Sequence, residues 1–171
     1  MMRREQKIVA IGAASGVFGM AVLVSGLFYL LPTTTGFTTI AERLAYTLQL
    51  NAVAIVPFFI ILINVGNARF LSDAINPLAH AERASIEIDG RVADNTLQQN
   101  FVFLIGTLAL STSLSAMNMK LILACTITFV VARVVFWVGY RIHPLYRAPG
   151  MAATSYMNLG ILLSALYIFF F

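Results

Sequence analysis

The sequence predicts an all-α fold, an integral membrane helical bundle, and three observations carry that expectation. Of the 171 residues, 60% are hydrophobic and only 11% are charged, against roughly 25% charged in an average soluble domain. The mean hydropathy is +0.87, so the missing charge must be surface that meets lipid. The few Lys and Arg residues also sit mostly at the ends of apolar runs, which is a membrane-topology signal and not the clustered basic face of a nucleic-acid-binding chain. The net charge of +4 therefore implies no nucleic-acid partner.

The first expected span is Ile8 to Leu31, which holds no charge. At about 1.5 Å per residue it is long enough to cross a hydrocarbon core of ~30 Å. A signal peptide would have an apolar core of only about 7–15 residues, so an uncleaved anchor is expected. The second span runs from Leu44 to Gly66 and contains Pro57, which neighbouring helices can accommodate in a membrane. Asn67 to Asp94 is the longest polar stretch and is expected in water, with Glu82, Glu87 and Asp89 as a solvated acidic surface. The third span is Asn95 to Met117, the fourth Lys120 to Tyr140, and the fifth Ala152 to Phe171.

Basic residues alternate along these connections: Arg3, Arg4 and Lys7, then Arg43, then Arg69, Arg83 and Arg91, then Lys120, then Arg141 and Arg147. The positive-inside bias expects a multi-pass protein of a bacterial inner membrane with a cytoplasmic N-terminus and the C-terminus outside. Gly12, Gly16 and Gly19 are spaced to share a helical face, as in a GxxxG contact, with Gly106, Gly139 and Gly160 as further close-packing positions. Asn51, Asn64 and Asn118 are expected to make interhelical hydrogen bonds. Cys125 lies inside an apolar run as a small buried hydrophobe. Neither His80 nor His143 has the spacing of a metal ligand, so no metal is expected and both are read as loop residues.

The one charge well inside a span is Arg133. A mid-span arginine costs about 2.5–3.5 kcal/mol on insertion scales and must face a partner or a cavity. Two readings stand: a ligand-binding residue, or a structural pair or snorkelling side chain. Arg91, Asn95 and Gln98 are spaced i, i+4, i+7, and Arg133, Phe136 and Tyr140 are spaced i, i+3, i+7. At about 3.6 residues per turn each set forms a stripe, and on consecutive antiparallel helices the two are expected to line a cationic, amide-bearing pocket for a small anion.

The segments Arg91-Val-Ala-Asp-Asn95-Thr-Leu-Gln98, Arg133-Val-Val-Phe136-Trp-Val-Gly139-Tyr140 and Arg147-Ala-Pro-Gly150 resemble the MAPEG superfamily, membrane-associated proteins in eicosanoid and glutathione metabolism. That pattern is an Arg, an Asn four later and a Glu three after that, followed one helix on by Arg-x-x-Tyr-x-x-Gly-Tyr and a downstream Arg. The resemblance covers residues 44–171. It implies a four-helix unit there, with residues 1–43 contributing one extra transmembrane helix. It further implies a homotrimer that binds glutathione as co-substrate between subunits. Arg91, Asn95, Arg133 and Tyr140 would then grip the tripeptide, and Arg147 would hold its thiolate. Tyr140 is alternatively a hydroxyl donor to substrate or an interfacial aromatic anchor, as Trp137 and Tyr146 are read to be.

A free thiol has a pKa of about 8.5 and reacts as the thiolate, which is why a fixed guanidinium would matter. Two positions depart from the pattern. Gln98 stands where the family has Glu, removing a carboxylate for the ligand's ammonium and for Arg133, and Phe136 replaces a Tyr, removing a hydroxyl. Asp94 is the nearest replacement charge. Two functions follow: a glutathione-dependent transferase or peroxidase acting on lipophilic electrophiles or lipid hydroperoxides drawn from the membrane lipid, or a non-catalytic member binding a lipid or partner protein. A transporter has less support, because no spaced intramembrane acids line a path.

Overall fold

A computed structural model describes residues 3–79 and 81–171; Met1, Met2 and His80 lie outside the described residues. The chain forms α1 (Arg4–Leu30), α2 (Ile40–Ala54), α3 (Val56–Phe70), α4 (Ala84–Ser113), α5 (Lys120–Ile142) and α6 (Ala148–Phe170), joined by short 3₁₀ turns, with no strand among the described residues. Four apolar segments are long enough to span a bilayer: Arg4–Leu30, Ile40–Phe70, Ala116–Ile142 and Pro144–Phe170. The protein is a multi-pass integral membrane protein.

The helix limits follow local chemistry. Thr39 caps α2: its hydroxyl accepts from the Glu42 N–H at 3.2 Å while the Glu42 carboxylate accepts from the Thr39 N–H at 2.8 Å. The helix therefore starts at Ile40, ahead of the expected boundary at residue 44. Pro57 cannot donate to the carbonyl one turn back, and the long apolar helix is interrupted at Ile55, giving α2 and α3. Pro149, in the first turn of α6, needs no such donor.

The largest departure from the sequence reading is α4. It begins at Ala84, within the stretch expected in water, and it is polar on its inner side: Asp89, Thr96, Asn100, Thr107 and Ser111 are buried together with Val92, Phe103 and Leu110. These positions recur at three- and four-residue intervals, so one helical face carries them. α4 packs against α2, α3, α5 and α6. Phe103 stacks on Phe129 of α5 with ring centroids 4.6 Å apart. Cys125 is buried in the same core.

The first helix lies against α5 and α6. Gly16 is its buried position, and a Cβ there would overlap the Pro149 carbonyl. Gly12 meets Ala148 at 3.1 Å from where its Cβ would be, whereas Gly19 meets nothing. The expected small-residue contact thus forms through two of the three glycines. Gly106 and Gly139 are close-packed as well, and Gly160 is not.

Candidate functional site

The site residues fall into two groups. In the first, Arg133 is fully buried, held by partners on two other helices. Its Nη1 donates to Asn95 Oδ1 of α4 at 2.9 Å, and its Nη2 donates to the Gly150 carbonyl of α6 at 3.1 Å and to the Thr154 hydroxyl. Phe136 lies one turn along α5 with its ring 4.6 Å from the guanidinium carbon, and Phe129 lies on the other side at 5.9 Å, both within cation–π range. Close approach of α6 to α5 makes this arrangement: a Cβ at Gly150 would overlap the Phe136 backbone. The expected meeting of Asn95, Arg133 and Phe136 occurs, but as a closed interior cluster. Arg133 Nε has no partner among the described residues.

In the second group, Arg147 Nη1 donates to the Tyr140 hydroxyl at 2.9 Å, with the guanidinium 4.9 Å from the Tyr140 ring centre. Arg91 faces the same hydroxyl and pairs with Glu87 at 2.6 Å. Tyr140 is buried, whereas Arg91 and Arg147 are exposed. Gln98 joins neither group. It is exposed, as is Asp94, because on α4 both lie on the stripe that continues through Arg91, away from Asn100 and Phe103. The expected single pocket is therefore replaced by an inner pin, an outer arginine–tyrosine pair and a separate exposed α4 stripe.

Sequence reasoning missed a third polar cluster. Asp89, expected on a solvated surface, is 2% exposed. It accepts from Arg141 Nε at 2.8 Å, Trp137 Nε1 at 2.7 Å and Asn64 Nδ2 at 2.8 Å. Trp137, half-buried, is thus also a hydrogen-bond donor to α4. Asp89 precedes the apolar part of α4. Burial alone would raise its pKa, but Arg141, with Trp137 and Asn64, outweighs burial and holds the carboxyl below the ordinary Asp value. Further inward, Asn158 donates to Gln99 at 2.9 Å and Asn51 to Thr107 at 3.0 Å. Asn64 and Asn51 therefore act as interhelical donors, as expected; Asn118 is exposed.

Two apolar hollows flank α1. A groove of about 250 Å³ is lined by residues including Gly16, Gly19, Leu23, Thr128 and Ala132. On the other side a hollow of about 310 Å³ is bounded by residues including Val9, Ala13, Arg147, Ser155 and Tyr156. Neither is lined by Arg133 or Asn95.

A model of the MAPEG family matches residues 47–167. The chain belongs to the MAPEG family. It is also similar to "Transmembrane protein 79" of Mus musculus, with 24% identity over 168 residues, and to the protein of the same name from Bos taurus, with 25% identity over 164 residues. These alignments cover 98% and 95% of this chain but 43% and 41% of the relatives, so the chain spans about two-fifths of their length. The first alignment takes in nearly the whole chain, α1 included, while the MAPEG match begins inside α2. No solved structure matches.

Proposed function

We propose that this MAPEG member is a non-catalytic membrane protein that binds a lipid. The observation that carries the proposal is the closure of Arg133. The guanidinium that would grip a tripeptide carboxylate is fully buried, with both terminal nitrogens engaged by Asn95, Gly150 and Thr154. Recruiting it would break the guanidinium's hydrogen bonds to Asn95, Gly150 and Thr154, each contributing about 1.5–3 kcal/mol as a bond to a charged group. Gln98 supplies no carboxylate and Phe136 no hydroxyl, whereas the hollows beside α1 are apolar and lie on the lateral surface. A homotrimer belongs to the same proposal. The exposed α4 stripe of Arg91, Asp94 and Gln98 is costly against lipid, and a second copy would cover it. In this arrangement the Arg147 end faces the cytoplasm, as the charge bias expects.

The second reading is a glutathione-dependent transferase or peroxidase acting on lipophilic substrates. It is favoured by one observation, the Arg147–Tyr140 pair with Arg91 beside it. Arg147 would stabilise the thiolate and Tyr140 would fix the guanidinium.

A glutathione titration of the chain in lipid nanodiscs separates the two. Under the proposal the wild-type chain gives neither saturable binding nor thiolate absorbance. The double substitution Gln98→Glu, Phe136→Tyr is expected to raise glutathione binding. Saturable binding by the wild-type chain, with a thiolate band that disappears in Arg147→Ala, would establish the transferase reading instead.

A further inference from the structure

We infer that α1 and α6 form a binding trough for one acyl chain of an anionic phospholipid, with Arg147 at the end that receives the headgroup phosphate. The inference rests on the lipid-binding reading above and gives it a site and a ligand class.

Two hollows adjoin along α1. The cavity of about 310 Å³ that holds Arg147, Ser155 and Tyr156 shares Ala13 and Tyr156 with a second, of about 690 Å³, that runs on past Val17 and Phe18. Together they extend along α1 from Val9 to Ala21, about 18 Å at roughly 1.5 Å per residue. Small side chains help leave this room: Ala10, Ala13, Ala14 and Ala21 are four of the seven α1 positions that face it. A methylene chain matches such a wall by van der Waals contact, and in a bilayer the trough lets the chain remain in an apolar setting while its headgroup is fixed.

The charge is arranged for one kind of head. Arg147 is exposed, and among the described residues it makes no ion pair; its hydrogen bond to Tyr140 uses Nη1. Tyr140 thus aims the guanidinium, whose remaining N–H groups match the fork of phosphate oxygens. Val9 of α1 lines the cavity with Arg147, so Arg3, Arg4 and Lys7 lie beyond it at the same end, exposed and offset by one acid, Glu5. From Ile8 to the end of α1 there is no charge. Cations collected at one end of an apolar trough form a selective site for anionic lipid. A zwitterionic head would bring its own ammonium against those cations. α1 precedes the residues matched by the MAPEG model, so the trough depends on a helix outside that match.

The test is native mass spectrometry of the full chain released from nanodiscs of mixed phosphatidylglycerol and phosphatidylcholine. The wild-type chain is expected to retain phosphatidylglycerol in excess of its bulk share. Arg147→Gln should lower that enrichment about fivefold, following about 1 kcal/mol per basic residue near the surface. Arg147→Lys, which keeps the charge and loses the forked geometry, should fall between wild type and Arg147→Gln, whereas enrichment undiminished in Arg147→Gln would overturn the assignment of the headgroup to Arg147. Ala13→Phe, which fills the trough where its two parts join, should lower retention of both lipids. Retention unchanged in both Arg147→Gln and Ala13→Phe would overturn the trough and leave a lipid-binding protein with its site elsewhere. No retention by the wild-type chain, together with glutathione binding, would overturn both readings.

Discussion

Arg133 and Asp89 are both buried charges that tie helices together, yet they are stabilised in opposite ways. Asp89 has a countercharge, Arg141, and donors from Trp137 and Asn64, so it joins α3, α4 and α5 through charge-assisted bonds. Arg133 has only neutral partners, an amide, a carbonyl and a hydroxyl, between two aromatic rings. The contrast teaches that a buried charge in this bundle does not by itself mark chemistry. It shows instead that stability depends on which member of each cluster is removed, because an orphaned charge costs more than a deleted one.

The largest effect is expected at Asp89. Asp89→Asn removes the countercharge and turns an NH₂ toward one of three sets of donors. Breaking a buried pair costs about 3–5 kcal/mol, and because the Arg141 side chain is 45% exposed and regains water, a loss near about 3 kcal/mol is expected in reversible unfolding in mixed micelles. The same cluster gives the acid limb of stability. A carboxyl whose folded pKa is depressed contributes stability above its unfolded value of about 3.9, and that contribution is lost as pH falls through the lower folded value. Unfolding free energy should therefore hold between pH 7 and 5 and fall below about pH 4, and Asp89→Asn should lack that part of the fall. An acid limb identical in both proteins would place the titrating group elsewhere.

Much of this arrangement was legible in the sequence, and the parts that were not have a common cause. Four of the five expected spans follow from apolar runs, whereas the third, Asn95 to Met117, falls mostly on the more polar α4; the inward orientation of Arg133 follows from the cost of a charge in hydrocarbon. The capping pair Thr39 and Glu42 also stands in the sequence and marks the start of α2. By contrast, Ala84 to Asp94 reads as solvated because its charges give no sign that Asp89 has Arg141 as a partner, more than fifty residues away. Arg133's partners Gly150 and Thr154 lie on α6, and no spacing rule links them to α5. Gln98 was grouped with Asn95 by helical spacing alone. Three residues turn the helix by about 300°, enough to carry Gln98 onto the exposed stripe while Asn95 stays half-buried.

The second effect is expected at Asn95. Asn95→Leu leaves the Arg133 guanidinium buried with one fewer acceptor, and a hydrogen bond to a charged group contributes about 1.5–3 kcal/mol. A loss of about 2 kcal/mol is expected, smaller than at Asp89 because Gly150 and Thr154 remain. A loss larger than that of Asp89→Asn would reverse the comparison and make the Arg133 cluster the main tie of the bundle.

The smallest effect is expected where the charge itself is deleted. Arg133→Met keeps an unbranched side chain between Phe129 and Phe136 and removes the ion that needs partners. The Gly150 carbonyl still accepts from the Thr154 hydroxyl at 3.1 Å, and Asn95 is only half-buried, so little is left unmatched. Replacing a buried ion by an apolar side chain of similar length is often neutral or stabilising, and a change within about 1 kcal/mol is expected in the same unfolding measurement. Lipid retention should be unchanged, because the trough beside α1 is not lined by Arg133. If Arg133→Met unfolds the chain, the guanidinium specifies the packing of α6 on α4 and α5; if it folds but loses lipid, Arg133 reaches the ligand and the closed cluster opens in the bilayer.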